Sequence, residues 1–221
     1  MLDGPFDGLS AEDRDVLNRL GVVRRHARGT YLMLEGDRSD HLLLVREGRL
    51  KIVRTNDDGR ESLVAVRGPN ELVGELNALC GSDAPRAASV VALDDVTVQS
   101  ITAGEFLDFV AARPSVCLRL LRSLALRLRE STLRHAEAAG YDSLHRVARM
   151  LVELADSTGR RVDGGMVVAE GLSHGELAGL VAASPKSVGR ALAALRARGL
   201  VTTARRAIVI DDIDRLRQFA G

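Results

Sequence analysis

The sequence predicts an α+β protein with a strand-rich N-terminal half, one long helix, and a C-terminal part of short helices and strands. Three observations carry this. Between Tyr31 and Ile101 short apolar runs recur at even spacing between turn residues, the pattern of a barrel or sandwich. From Ala103 the apolar residues fall three and four apart, a helical period. Past Gly140 the helical segments shorten, and capping residues announce each start.

With 221 residues the chain exceeds one typical domain, and 46% apolar content is ample for packed cores. Aromatics make up 3% and Trp is absent, so aliphatic side chains must fill those cores. A first helix is expected over Ser10–Leu20. The strands follow at Tyr31–Leu34, Leu42–Val45, Leu50–Val53, Leu63–Val66, Ser89–Leu93 and Val96–Ile101. Gly36, Gly48 and Gly59 stand where turns need positive φ, and Asp58-Gly59 is a hairpin signal.

The chain then reads as helical from Ala103 to Gly140. After Arg113-Pro114, the series Cys117, Leu121, Leu124, Leu128, Ser131, His135 and Ala138 alternates by three and four, the seam of a coiled coil. Leu118, Leu120 and Leu126 add apolar surface suited to packing back on the strands. A helix with such a stripe most simply pairs with its own copy, the alternative being burial within one subunit. Gly140-Tyr141-Asp142 interrupts it, and Asp142 suits the N-cap of a helix reaching about Ser157. Short strands are expected around Val162 and Met166–Val168.

Ser173 and Glu176 form a capping box, and Leu177, Leu180 and Val181 give that helix one apolar face. Ala182-Ala183 allows a tight turn. Ser184-Pro185 opens a second helix with an N-cap serine and a proline at a position where its missing N–H costs nothing. Val188, Ala191, Leu192 and Leu195 face inward, while Lys186, Ser187, Gly189 and Arg190 face outward. Strands at Leu200-Val201 and Ala207–Ile210 would make a wing tipped by Arg205 and Arg206. This arrangement reads as a winged helix-turn-helix, whose second helix enters a major groove by its N-terminal end. Arg190 suits a guanine edge, and Ser184, Ser187 and the wing arginines suit phosphates.

Charge supports that reading. Formal net charge is +1, but residues 1–112 carry 13 basic and 19 acidic side chains, whereas 143–221 carry 12 and 8. Ser184–Arg206 holds six basic residues and no acidic one, so a polyanion partner is expected for that end. Cys80 and Cys117 are too few for a disulfide framework or a thiolate cluster and are expected as two buried thiols acting as small hydrophobes. No apolar run approaches a membrane span and no signal-peptide core begins the chain, so it reads as soluble and cytoplasmic. Paired carboxylates, metal-spaced ligands and a nucleophile–base set are missing, which argues against an enzyme.

The stretch Gly74–Ala88 carries a different chemistry. Gly74, Glu75 and Leu76 begin a short helix, and Arg86 precedes the small residues Ala87 and Ala88. Free backbone N–H groups and a guanidinium that grips two oxygens suit a phosphate, and Glu75 is placed to accept from a sugar hydroxyl. Gly-Glu-Leu and Arg-Ala-Ala resemble the phosphate-binding cassette of cyclic-nucleotide-binding domains.

With cassette, long helix and helix-turn-helix in that order, the chain resembles the cyclic-AMP receptor and fumarate–nitrate regulator family of bacterial transcription factors. The resemblance implies a double-stranded β-helix (jelly roll) in residues 1–112, a dimerisation helix in 113–140, and a winged helix-turn-helix in 141–221. It implies that Glu75 takes the ribose hydroxyl and Arg86 the cyclic phosphate, with the Ala87 N–H replacing a serine common in bacterial members. Counted from the shared Arg-Pro, the hydroxyl pair that closes on the adenine falls on Ser131 and Thr132, in swapped order. Cyclic AMP (cAMP) is the implied effector, with cyclic GMP open. Double-stranded DNA with a palindromic operator, a second copy of the chain and RNA polymerase are the implied partners. Where family members read bases with Arg, Glu and Arg, this chain has Pro185, Lys186 and Arg190, so its operator should differ. The cysteine cluster of iron–sulfur sensors is absent, and His26, His41 and His135 read as structural, so neither cluster, haem nor other metal is expected. Two other readings stay open: a ligand-independent regulator with a vestigial cassette, and a nucleotide-binding protein acting on a protein partner.

Overall fold

The structure, a computed structural model, describes residue 6 and residues 8–56, 59, 61–81, 84–140, 142–204 and 207–221, with the side chains of 134–140 left aside. Arg205, Arg206, Asp58, Tyr141 and the side chains of His135 and Ala138 therefore lie outside the described residues. Contacts divide the chain into two units. One joins residues 66–129 to the chain before residue 60, and the other joins 130–221 to 61–65.

The first unit is a jelly roll. Its sheets are built from the strands β1 (Val22–His26), β2 (Tyr31–Met33), β3 (His41–Glu47), β4 (Leu50–Thr55), β5 (Glu61–Arg67, of which 61–65 group with the second unit), β6 (Leu72–Val73), β7 (Ser89–Ala92) and β8 (Val96–Thr102). They form antiparallel sheets of order β1-β8-β3-β6 and β2-β7-β4-β5. Strand β3 shows why the sequence folds this way. Leu43 and Val45 point between the sheets, with Met33, Leu50, Val73, Val90 and Val98. Leu42 and Leu44 point to the other side, against Leu17, Phe106, Phe109, Val116 and Leu120 of the helices. A strand buried on both faces reads as a continuous apolar run, as Leu42–Val45 does. The expected turn glycines Gly36, Gly48 and Gly59 all have positive φ. At Gly48 a Cβ would also stand 2.5 Å from the Asp95 carbonyl oxygen, so no side chain fits.

Helices α1 (Ala11–Arg19), α2 (Glu75–Cys80), α3 (Ala103–Ala111) and the first part of α4 (Pro114–Gly140) complete this unit. The helical reading of 103–140 splits in two at Ala112-Arg113. Proline disfavours α geometry in the residue before it and lacks the N–H needed to continue a helix. The expected back-packing of Leu118 and Leu126 is corrected: both are exposed, at 57% and 40%, and only Leu120 is buried. The seam is divided as well. Val116, Cys117, Leu120 and Leu124 pack on the apolar cluster, whereas Leu121 and Leu128 are exposed. With 3.6 residues per turn, the inward stripe uses one three-four series and leaves its neighbour to solvent. The expected burial of both thiols is corrected for Cys80, which is exposed at the end of α2. Strand β1, with four exposed residues and little apolar alternation, had no reading in the sequence.

The second unit contains α5 (Ser143–Thr158), α6 (His174–Leu180), α7 (Pro185–Ala197) and α8 (Ile213–Ala220). Its sheet has the order β11-β12-β10-β9, with β9 Arg160–Val162, β10 Gly165–Val168, β11 Val201–Ala204 and β12 Ala207–Ile210. Val147, Leu151, Leu177, Val188, Leu192, Leu195, Ile210 and Leu216 are buried there. Asp142, Ser173 and Ser184 cap their helices as expected, each accepting from the backbone N–H three residues on. Among the described residues no helix is long and apolar enough to cross a membrane.

The turn between α6 and α7 runs through Ala182 at φ 47, a conformation that costs an L-residue about 1–2 kcal/mol. Ala182→Gly should relieve this, less the entropy glycine adds to the unfolded chain. The expected net gain is about 0.5–1 kcal/mol in a urea titration.

Candidate functional site

In the jelly roll the candidate site is built around Arg86, on the segment between α2 and β7. The chain is held in place there by backbone bonds from Gly36 N–H to Arg86 O at 2.9 Å and from Arg86 N–H to Asp37 O at 2.8 Å. Although charged, Arg86 is only 3% exposed. Its Nε donates to Ser39 Oγ at 3.0 Å, its Nη1 to the Gly74 carbonyl at 3.3 Å, and its Nη2 to the His41 carbonyl. Among the described residues no carboxylate lies within ion-pair distance of it. Burial pulls the guanidinium below its ordinary pKa, and the more distant Asp40 and Asp37 pull the other way. A buried cation satisfied only by neutral oxygens has charge left for an anion to neutralise, and its planar fork fits two oxygens of one group.

Gly74 lies against this arginine. It caps α2 at φ 89, and a Cβ there would stand 2.8 Å from Arg86 Nη1 and 3.1 Å from Met33 Cε. The glycine therefore lets the helix start and the guanidinium approach one another. Glu75 follows, 5% exposed, and its Oε1 accepts from Arg127 Nη1 at 2.6 Å. Arg127 also reaches Glu71 at 3.5 Å and the Leu72 carbonyl at 3.5 Å. Leu76 is 56% exposed and Ala87 is exposed.

Arg127 is the residue the sequence reading missed. A signal existed: it stands three residues beyond Leu124 and seven beyond Leu120, so it continues the inward stripe of α4 as a charge. A charge on such a stripe calls for a buried partner, and the cassette carboxylate supplies it. Ser131 and Thr132 are on the same helix beyond Glu130 and belong to the second unit, partly exposed and exposed.

In the second unit, α7 presents Lys186 and Arg190 as exposed side chains in its first two turns, with Ser187 half-buried between them. Arg190 Nη2 donates to Ser187 Oγ at 3.4 Å, and Ser187 N–H donates to the cap oxygen of Ser184 at 3.1 Å. Pro185 is the first residue of the helix. Arg196 Nη1 donates to Thr203 Oγ1 at 3.0 Å, tying α7 to β11. β11 and β12 pair antiparallel, with Ala204 opposite Ala207; the expected wing tip, Arg205 and Arg206, lies outside the described residues. Arg198 lies 5.5 Å from the Phe219 ring centroid, whose other neighbour is the stacked His145 ring at 5.0 Å. Among the described residues no group of three or more His, Cys, Asp or Glu could hold a metal.

Residues 23–113 match the cyclic nucleotide-binding domain family, and residues 145–219 match the Crp-like helix-turn-helix domain family. The two together define a regulator with a nucleotide-type sensor and a DNA reader. Over 98% of its length the chain is 34% identical to a CRP-like cAMP-activated global transcriptional regulator of Mycobacterium tuberculosis, covering 96% of that protein. It is 31% identical to a cyclic AMP receptor protein of Thermus thermophilus, over 89% of this chain and 87% of the other. Among solved structures, a CRP-family transcriptional regulator, also from Thermus thermophilus, superposes with a TM-score of 0.72 at 29% identity, covering 90% of this chain and 96% of that one. The chain belongs to the CRP/FNR family of transcription regulators, which are not enzymes.

Proposed function

We propose that the chain is a homodimeric regulator whose grip on DNA is set by cyclic AMP bound in the jelly roll. The observation that carries the reading is Arg86, a buried guanidinium held by neutral oxygens beside Gly74. The cyclic phosphate would pair with Arg86 and the Ala87 N–H. Gly74, Glu75 and Leu76 would shape the sugar side, and Ser131 and Thr132 would close on the base. Relatives named for cAMP support this choice of nucleotide. The exposed Leu118, Leu121 and Leu128 of α4 support pairing with a second copy.

In this proposal the organisation is 1–112 for the effector domain, 113–140 for the dimer helix and 141–221 for the DNA reader. Two copies then present two α7 helices to a palindromic operator, with RNA polymerase as a further partner. Lys186 and Arg190 would read bases, while Ser184, Pro185, Ser187, Arg205 and Arg206 would line the backbone. No metal enters the mechanism. Arg190→Ala should cost about 1–3 kcal/mol on the selected operator and relax preference at one base pair, as read by competition with single-base variants. Calorimetry with cyclic AMP and cyclic GMP tests the sensor half. Absence of binding at millimolar nucleotide would refute it.

A further inference from the structure

Beside Arg86 stands a titratable residue that the nucleotide reading leaves unused, His41. His41 opens β3 and pairs with Thr102 of β8. Strand alternation puts its side chain on the face of Leu43 and Val45, between the sheets. Its backbone carbonyl accepts from Arg86 Nη2 and lies 3.3 Å from where a Gly74 Cβ would stand. The residue is half-buried. It thus stands beside Arg86 and Gly74, close enough for the Arg86 charge to act on its ring.

We propose that His41 is a second, titratable wall of the anion pocket, so that the effector binds more tightly as the pH falls and brings a proton in with it. The inference rests on the nucleotide reading above. The charged groups around His41 are few. Arg86 approaches from the segment entering β7, and Asp40 immediately precedes His41 and acts on Arg86 as well, with Asp37 acting on Arg86 more weakly. β8 contributes the neutral Thr102, and the turn into α2 contributes Gly74 and a Glu75 already engaged by Arg127.

Burial pulls the imidazole below its ordinary pKa, the Arg86 charge adds to this, and Asp40 opposes both. An anion seated on Arg86 cancels that repulsion and adds a negative charge beside the ring, so the bound state favours the imidazolium. The sign follows from linkage. The site binds more protons with ligand than without, so affinity rises as pH falls between the two pKa values and levels off below both. A cyclic phosphodiester keeps its single charge across this range, so the slope belongs to the protein. A rise of one pKa unit on binding corresponds to about tenfold tighter binding below both values.

The experiment is calorimetry of cyclic AMP binding to the full-length protein at about pH 5.5, 6.5 and 8, the range in which histidine titrates. Each titration is run in two buffers of different ionisation enthalpy. The wild type should take up protons near the middle of the range and bind several-fold tighter at the acid end. His41→Gln should bind with a flat profile and no proton uptake. The imidazole resonance of His41 should move to higher pKa when nucleotide is added, a readout that needs no variant. Binding with the same pH slope in both proteins, or a resonance that does not respond, overturns the role of His41 and leaves the nucleotide site standing. No binding at any pH overturns the nucleotide reading and this inference together.

Discussion

Arg86→Ala is expected to weaken cyclic-nucleotide binding by about a hundredfold or more, and calorimetry reads this directly. Two hydrogen bonds from a charged donor to one anion contribute roughly 1.5–3 kcal/mol each, more than 3 kcal/mol together. Arg86 is 3% exposed and its described hydrogen-bond partners are neutral oxygens, so the full charge that meets the anion is its own. Arg86→Lys should recover only part of the loss, since an ammonium keeps the charge but not the planar fork. The alanine variant should also lose about 1–3 kcal/mol of stability, because Ser39 Oγ and the Gly74 and His41 carbonyls lose their donor. Binding unchanged by the substitution would remove Arg86 from the site.

Arg127→Ala is expected to destabilise the jelly roll by about 3 kcal/mol in urea, through the carboxylate it leaves behind. Glu75 has 7% of its side chain exposed and pairs with Arg127 at 2.6 Å. Removing one partner of a buried pair typically costs 3–5 kcal/mol, and the 21% exposure of Arg127 places this pair at the lower end. The double variant Glu75→Gln/Arg127→Ala should be more stable than Arg127→Ala alone, since the stranded charge is gone. Equal stability of the two variants would show that Arg127 acts by packing alone. Arg127 is on α4 and Glu75 opens α2, so the pair joins the long helix to the cassette helix.

Much of this molecule is legible in its amino-acid sequence, and the exceptions have physical causes. Strand β3 is readable from its apolar run, helix α4 from its three-four period, and the helix starts at Ser173 and Ser184 from their capping residues. Strand β1 was not, because Val22–His26 is an edge strand without alternation, paired on one side to β8. Helix α8 has no clear signal although Asp212 caps it by accepting from two backbone N–H groups, because only Leu216 and Ala220 of its eight residues are buried. Which leucines of α4 face inward could not be decided from spacing, since neighbouring three-four series fit the same helix. Leu120 and Leu124 pack on the core, while Leu121 and Leu128 do not. In the candidate site Gly74, Glu75 and Arg86 came from a local motif. Arg127 is 52 residues from Glu75 in sequence, and only the folded chain brings the two together.

Central to this account is that nucleotide in the jelly roll alters DNA binding by the reader, which a ligand can do only by its differential affinity for two states. The most direct measurement is the affinity of the full-length protein for its selected operator, by fluorescence anisotropy, with and without saturating cyclic AMP at fixed salt. The account predicts at least a fivefold change, about 1 kcal/mol of coupling, in the wild type and none in Arg86→Ala. Equal affinity with and without nucleotide in the wild type would contradict it.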